Sequence, residues 1–195
     1  YEKSIVVLNI GGVMELSEIK ASSGINAILL MTQLGNIGGD ALLDVLTGKV
    51  NPSGKTTDTW AKNYMDYPSS AKFSHNESVH DEMYEDGIYM GYRYFDSFDV
   101  EPEYCFGFGR SYTEFAVKAG EVTVRDNQVE IPVDVTNTGS TYAGKEVVQV
   151  YYSVLDGVLD KPYQELAAYQ KTRLLAPGET EHLVLTYPVA QMASY

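Results

Sequence analysis

Cysteine is almost absent from this sequence. Cys105 is the single one, so no disulfide can form within the chain, and cysteine usage leaves the redox compartment open. Long apolar runs are missing as well, because no stretch approaches the roughly 20 residues that a membrane-spanning helix needs. The first residues also lack the basic region and apolar core of a secretion signal. The sequence therefore predicts neither a disulfide-stabilised fold nor a membrane-spanning segment.

Basic residues are scarce. The chain has 14 Lys and Arg residues against 27 Asp and Glu residues, which gives a formal net charge of −13. A surface this negative repels phosphate backbones and anionic lipids, so we expect no nucleic-acid partner and no membrane partner. A neutral or cationic ligand, such as a sugar, is compatible with the charge. The hydrophobic content of 44% indicates a folded chain rather than a disordered one.

Tyrosine, in contrast, is abundant. The chain has 16 tyrosines, and each combines an apolar ring face with a polar hydroxyl group. Such side chains stack well against sugar rings, and they pack equally well in ordinary β-sheets. Sheet packing is the favoured interpretation, but sugar binding stays open.

The first part of the chain has the pattern of an α/β fold. Ser4–Ile10 and Ala27–Met31 are short apolar runs of the kind found in strands buried on both faces of a parallel sheet. Leu16–Ser22, between them, fits a short helix. Ala41–Leu46 carries apolar residues at helical spacing, and Gly48 is well placed as a C-terminal cap. This order predicts parallel strands joined by crossover helices.

The pattern changes twice after this region. Residues 49 to about 115 are irregular, with one strand-like stretch, Gly87–Phe95, in which residue types alternate. A long irregular connection of this kind is usually functional or forms an interface. From about Lys118 onward the alternation is that of β-strands, with turn residues between them, and it predicts an antiparallel sandwich. The predicted strands are Val122–Val124, Val129–Val135, Glu146–Val154 and His182–Tyr187.

Two glycine-rich segments resemble phosphate-binding loops but fail in detail. Five residues separate Gly48 from Gly54, where the nucleotide-binding loop needs four, and this segment follows a helix instead of preceding one. The second segment, 35–40, precedes a helix, but Asp40 at the helix start would repel a pyrophosphate. The sequence therefore predicts no nucleotide, and no cofactor is expected.

An acidic cluster precedes the strand-like stretch. Crowded carboxylates raise one another's pKa, as an acid catalyst requires, but a hydrated acidic loop is the favoured interpretation. His75 and His80 lie in the same loop with Glu77, yet their spacing matches no known metal-ligand pattern. We therefore assign no metal ligands. The cluster consists of Asp81, Glu82, Glu85 and Asp86.

Several strings of residues, in this order, resemble glycoside hydrolase family 3. Four of them resemble the later part of the family's α/β-sandwich domain: VVLNIGG (6–12), GGDALLDVLTGKVNPSGKTTDTW (38–60), YEDGIYMGYRYFD (84–96) and FGFGRSYTEF (106–115). Two more resemble the fibronectin-III-like domain that follows: NTGSTYAGKEVVQVYYS (137–153) and LDKPYQELAAYQKTRLLAPGE (159–179). The resemblance spans essentially the whole chain.

The resemblance implies hydrolysis of β-glycosidic bonds with retention, by a nucleophilic carboxylate and an acid/base carboxylate. In the family the nucleophile is an Asp of a TIM-like barrel domain, and the acid/base is a Glu in a segment before the VVLNIGG strand. Neither Asp58 nor Glu85 occupies a matching motif, so no catalytic residue is assigned. We expect a parent β-glucosidase whose barrel and both catalytic carboxylates lie outside this chain, and we expect this chain alone to be inactive.

These expectations combine in one architecture. A partial α/β sandwich with a mostly parallel sheet occupies residues 1–115, and an all-β immunoglobulin/fibronectin-III-like sandwich, expected to be truncated, occupies residues 116–195. Departures from the family at Val13–Glu15 and Arg110 leave the preferred sugar open. The alternative function is a non-catalytic module that binds carbohydrate or another protein. The residues expected to bind a β-glucoside substrate are Tyr84, Glu85, Tyr92 and Arg93.

Overall fold

The chain divides into two units, each built from two stretches of sequence. The computed structural model describes residues 2–73, 78, 80–154 and 157–193. The first unit comprises Tyr1–Leu46 and Thr56–Phe108, and the second comprises Thr47–Lys55 and Gly109–Tyr195. The segment 47–55 therefore leaves the first unit, joins the second, and is followed by a return to the first.

The first unit contains a parallel strand pair and short helices. Its elements are β1 (Ile5–Leu8), α1 (Ser17–Ala21), β2 (Ala27–Leu30), α2 (Gly38–Leu46), a 3₁₀ helix (Tyr64–Asp66) and α3 (Tyr92–Ser97). The strands pair in parallel, with Ile5 opposite Ala27 and Leu8 opposite Leu30. The predicted order of strand, helix, strand and helix is thus confirmed. Gly48 follows α2 at a φ of 75°, the left-handed conformation that ends many helices.

The core of the first unit is small. Leu8, Leu16 and Trp60 are 7%, 2% and 4% exposed, and side chains of both strands and of α1 pack against them. The prediction that both strands are fully buried is wrong at Ile5 and Leu30, which are 46% and 37% exposed. The reason is that the described residues supply too little apolar cover for both faces of a two-stranded sheet. The surrounding side chains are Val6, Ile10, Ile19, Ile28 and Tyr104.

The predicted strand over Gly87–Phe95 is wrong. Gly87 and Gly91 have φ values of 57° and 53°, which turn the chain away from an extended path, and α3 begins directly after Gly91. Phe95 of α3 is 2% exposed, and the ring of Tyr94 lies 5.0 Å from the ring of Phe98, the residue that directly follows the helix. The alternating pattern was misleading because both faces of the predicted strand would carry tyrosine, so the alternation did not separate a buried face from an exposed one.

The second unit is an antiparallel β-sandwich, as predicted, and its strands are β3 (Phe115–Ala119), β4 (Thr123–Arg125), β5 (Gln128–Asn137), β6 (Val147–Tyr152), β7 (Glu165–Lys171) and β8 (Thr180–Pro188). Along one edge of β5, β3 pairs with its C-terminal half and β4 with its N-terminal end, and β8 pairs along the other edge. β6 and β7 form a second sheet, with a bulge between Val150 and Tyr151. The alternation did not predict β7.

The two sheets enclose one core. Every second residue of β5 from Val129 to Val135 is buried, as are Leu183, Leu185 and Tyr187 of β8. This period of two places one face of each strand toward the interior. Val148 of β6 packs in the same cluster, so the second sheet closes the sandwich. The 3₁₀ helix Val189–Met192 follows β8.

Asn137, at the end of β5, is a fully buried polar residue whose amide is satisfied on both sides. Its Oδ1 accepts from the Thr113 hydroxyl at 2.6 Å and from the Gly139 N–H at 3.1 Å. Its Nδ2 donates to the carbonyl oxygens of Tyr142 and Leu175, both at 2.9 Å. Because four groups depend on one 0% exposed side chain, we expect Asn137 to fix the loops at this end of the sandwich.

The segment 47–55 is attached to the second unit by lysine side chains. Lys55 Nζ forms an ion pair with Glu146 at 2.7 Å and donates to the Gly109 carbonyl oxygen at 3.0 Å. Lys171 Nζ donates to the carbonyl oxygen of Ser53 at 2.8 Å. Burial, followed by the positive charges nearby, lowers the pKa of Lys171. These contacts explain why a short piece of chain from the middle of the first unit packs with the sandwich.

Candidate functional site

A recess in the first unit is formed by three segments that lie between its regular elements. They are the turn that follows β1, the region around the first 3₁₀ helix, and the approach to α3. The recess has a volume of about 300 Å³. Its lining is aromatic and apolar, with two carboxylates. The lining residues are Val13, Met14, Glu15, Ala61, Tyr64, Tyr67, Pro68, Ser69, Ser70, Phe73, Asp86, Met90 and Gly91.

Tyr67 fixes one wall of this recess. Its hydroxyl donates to the carbonyl oxygen of Thr59 at 3.0 Å and accepts from the N–H of Ala61 at 3.0 Å. Its ring meets Phe95 edge-on, with centroids 5.7 Å apart. Burial is the main cause that raises the pKa of Tyr67, so the hydroxyl keeps its proton at neutral pH. The wall is therefore held by two hydrogen bonds within the protein itself.

Glu15 supplies one carboxylate of the lining, and both of its oxygens are held. Oε1 accepts from the Ser17 hydroxyl at 2.7 Å, and Oε2 accepts from the Tyr64 N–H at 3.4 Å. The 3₁₀ helix that carries Tyr64 is capped by Asn63, whose side chain accepts from the Met65 N–H at 2.8 Å. The cap and Glu15 together determine where this helix begins.

Asp86 supplies the other carboxylate. It is half-buried, and its Oδ1 is shielded from solvent and has no hydrogen-bond donor among the residues that the structure describes. A shielded carboxylate oxygen without a donor is unusual in proteins, because desolvation of such an atom is unfavourable unless a hydrogen bond replaces the lost water. Asp86 is therefore the residue of the lining that has an acceptor oxygen open to a ligand that donates hydrogen bonds.

A smaller recess, of about 110 Å³, adjoins the first and shares Ser69, Phe73 and Asp86 with it. Glu85 lies in its wall and forms an ion pair with Lys72 at 2.6 Å. Both partners are at least half exposed, so this pair contributes little to stability. The smaller recess is lined by Ser69, Lys72, Phe73, Glu82, Met83, Tyr84, Glu85 and Asp86.

Potential metal ligands are not clustered in the described part of the chain. There, no group of three or more His, Cys, Asp or Glu side chains is arranged to hold a metal ion. Of the loop considered for such a site, His75 and Glu77 lie outside the described residues. Within the described ranges, no helix has the length and apolar character of a membrane span.

Comparison with known proteins gives two family matches. Residues 1–92, which include both recesses, match the glycosyl hydrolase family 3 C-terminal domain, and residues 146–195 match a fibronectin type III-like domain. The whole chain is also 40% identical over 213 residues to Beta-glucosidase A of Butyrivibrio fibrisolvens. The chain belongs to glycosyl hydrolase family 3. The resemblance read from its sequence motifs is thereby confirmed.

Solved family 3 structures share the fold. A beta-glucosidase from Paenibacillus barengoltzii superimposes with a TM-score of 0.92 at 44% identity, over 100% of this chain and 22% of that one. Beta-glucosidase 3B from Thermotoga neapolitana, in complex with glucose, gives a TM-score of 0.91 at 44% identity, over 99% of this chain and 27% of that one. These matches confirm the predicted α/β part followed by a fibronectin-III-like sandwich.

The chain spans about a quarter of the length of the family 3 relatives that it matches. It covers 25% of the Butyrivibrio enzyme. It also aligns over its full length with a beta-glucosidase from Ruminococcus albus at 39% identity and covers 20% of that protein. What the whole protein does is therefore a separate question from what this chain contains.

The four residues predicted to bind substrate fall into two groups. Tyr84 and Glu85 both line the smaller recess, and the Tyr84 ring is 89% exposed. Tyr92 and Arg93 lie at the start of α3, next to Gly91 of the larger recess, and neither lines either of the two recesses described above. The Tyr92 ring packs against Phe106, with centroids 5.1 Å apart. The role of all four residues in substrate binding stays a prediction.

The sequence pattern did not predict most of the larger recess. Glu15 and Tyr64 are 49 residues apart and meet through a hydrogen bond. No local sequence pattern predicts a contact between residues so far apart in the chain. One signal was present, because Tyr64 and Tyr67 are spaced three apart and precede Pro68, as in a short helical turn that exposes two rings on one side.

Proposed function

We propose that this chain is part of a retaining β-glycosidase, a β-glucosidase, that hydrolyses terminal β-glucosides. The observation that supports this proposal most is the match of the whole chain to beta-glucosidases, at 40–44% identity and with TM-scores of 0.91–0.92. An acidic chain whose recesses are lined in part by Tyr64, Tyr67 and Tyr84 also suits a neutral, hydroxylated substrate better than an anionic one.

The chemistry of this enzyme is proposed to lie outside the chain. Retaining hydrolysis needs two carboxyl groups about 5–5.5 Å apart, one as the nucleophile and one as the acid/base. No residue here matches the family motif of either group. The partner is then a TIM-like barrel domain of the same protein, which carries the nucleophile. The division into an α/β part (1–115) and a fibronectin-III-like part (116–195) belongs to this proposal.

The part played by this chain is proposed to be the binding of substrate by its irregular segment. Tyr84 offers a ring face for stacking against a sugar, and Glu85 accepts hydrogen bonds from hydroxyl groups. Tyr92 and Arg93 lie at the start of α3, directly after Gly91 of the larger recess, and they are proposed to contact substrate there. The position of Tyr84 and Glu85 on one recess supports the first pair more strongly than the second.

The activity is tested with the full-length protein and an aryl β-glucoside, with NMR spectroscopy used to identify the anomer released first. We expect hydrolysis with the β-anomer as the first product, and we expect the 195-residue chain alone to release no phenol. Hydrolysis by the isolated chain would contradict the placement of the carboxylates. If the full-length protein binds sugar without hydrolysing it, the result would support the alternative function, a non-catalytic carbohydrate- or protein-binding module.

The binding residues are tested by single alanine variants of Tyr84, Glu85, Tyr92 and Arg93 in the full-length enzyme. We expect a raised KM for the glucoside, because contacts made equally in the ground state and the transition state affect binding first. Unchanged kcat and KM in all four variants would remove this segment from the substrate site. Tyr169→Ala is a suitable control, since this ring is 70% exposed and lies on β7 of the sandwich.

A further inference from the structure

The larger recess has the chemistry of a sugar-binding site. Tyr64, Phe73 and Met90 are 49%, 54% and 59% exposed, and all three line the recess. A sugar ring presents apolar C–H faces and outward hydroxyl groups, so it needs apolar walls together with a few hydrogen-bond acceptors. A volume of about 300 Å³ lies at the lower end of the range for ligand pockets, about 300–1,000 Å³, and suits a single ring.

The acceptors are two carboxylates. Both oxygens of Glu15 already accept hydrogen bonds from within the unit. Asp86 differs, because its shielded Oδ1 has no donor among the described residues. A hydroxyl group bound against Asp86 would supply that donor and form a charge-assisted hydrogen bond. Among the lining carboxylates, Asp86 is therefore the one whose hydrogen bonding would change most when a sugar binds.

We propose that the larger recess binds the leaving-group sugar of a β-linked disaccharide, with Asp86 accepting a hydrogen bond from one of its hydroxyl groups. The inference rests on the proposed function. The reacting glucosyl ring must lie between the two catalytic carboxylates, and these are assigned to positions outside this chain. A sugar held by Asp86 is then the ring on the other side of the scissile oxygen.

The assignment fits the balance of the reaction. When the bond between the anomeric carbon and the glycosidic oxygen breaks, the nucleophile takes the glucosyl group and the acid/base gives its proton to the leaving oxygen. The sugar in the recess departs as the free alcohol. An aryl β-glucoside follows the same course with a phenol as leaving group, and that phenol has no sugar hydroxyl groups for Asp86 to accept from.

This difference between leaving groups provides the test. We compare kcat/KM for cellobiose and for an aryl β-glucoside in the full-length enzyme and its Asp86→Ala variant. Loss of a hydrogen bond to a charged group predicts a decrease of about 10- to 100-fold for cellobiose, with aryl-glucoside turnover within about two-fold of the parent enzyme. Asp86→Asn retains a carbonyl oxygen as acceptor and should recover part of the loss.

A matched pair of methionines controls for nonspecific effects. Met90 lines the recess and Met65 does not, although their exposed fractions are similar, 59% and 61%. Met90→Ala should lower kcat/KM for cellobiose about five-fold through lost apolar contact, and Met65→Ala should leave it unchanged.

The outcomes separate the two proposals. Equal losses on both substrates in Asp86→Ala would show a structural role for Asp86 and overturn the leaving-group site while the β-glucosidase assignment stands. Unchanged kcat/KM values for both substrates in Asp86→Ala would overturn it as well. If the parent enzyme hydrolyses neither substrate, the proposed function fails, and this site fails with it.

Discussion

The hydroxyl group of Tyr67 can be removed without changing the shape of its ring, and Tyr67→Phe therefore measures what holds the wall of the larger recess. The change leaves the carbonyl oxygen of Thr59 and the N–H of Ala61 without their partner. Both residues are 4% exposed, so water does not readily replace the hydroxyl group. Each unsatisfied buried group is unfavourable by about 1–3 kcal/mol, so the two groups together predict a local loss of about 2–6 kcal/mol.

Hydrogen exchange of the full-length enzyme, followed by mass spectrometry, measures this loss where it occurs. Since about 1.36 kcal/mol corresponds to a factor of ten, the amide of Ala61 should exchange about 30- to 25,000-fold faster in the variant. Tyr169→Phe is the control, because it removes the hydroxyl of a ring that is 70% exposed in the other unit. Equal protection of residues 59–67 in Tyr67→Phe and the parent enzyme would refute the reasoning.

The same variant carries a pH signature. Burial, the largest cause, raises the pKa of Tyr67 above its usual value of 10.0, and only the hydrogen bond from Ala61 opposes it. As pH rises through about 10, the unfolded state loses this proton before the folded state does, so the fold loses stability. This contribution is absent in Tyr67→Phe, and the difference in stability between parent and variant should therefore shrink above pH 10.

Three further variants test the sandwich and the segment attached to it. Asn137→Asp keeps the oxygen that accepts two hydrogen bonds but loses the amino group that donates two. It should lower the stability of β5 by about 3 kcal/mol, measured as faster amide exchange. Gly109→Ala would place a Cβ atom 2.2 Å from the carbonyl oxygen of Gly54 and should lower Tm, whereas Gly54→Ala, with nothing within 4 Å, should not. The pKa of Glu179 is lowered first by the N–H of Ala176, so Glu179→Gln should reduce stability at pH 7, with the difference vanishing as pH falls below about 4.

The sequence predicted those strands in which buried and exposed residues alternate regularly, because this period of two shows which face of the strand lies against the core. The alternation in β5 and β8 identified those strands because each has one face in the core. The run Glu165–Lys171 was not identified as β7, because paired alanines and mixed polar residues show no clear alternation. The stretch Gly87–Phe95 failed for another reason: two glycines with positive φ decide its path, and a period count does not register backbone angles.

The candidate site was less predictable than the fold. Local density of tyrosine and acidic residues pointed to the region of Tyr84 and Glu85, and both line the smaller recess. The larger recess joins segments that begin near residue 13 and end near residue 91, and its carboxylates come from both ends of that range. Contacts over such distances depend on tertiary packing, which a single sequence does not encode in any local pattern.

We propose that this chain is part of a β-glucosidase whose catalytic carboxylates lie elsewhere in the protein. A glucoside with fluorine at C2 and a good leaving group tests it directly, because fluorine destabilises the oxocarbenium-like transition state and lets the glucosyl-enzyme accumulate. Peptide mapping of the labelled full-length enzyme should place the sugar ester on a residue outside this 195-residue sequence. An ester on any Asp or Glu within it, such as Asp58 or Glu85, would contradict the account.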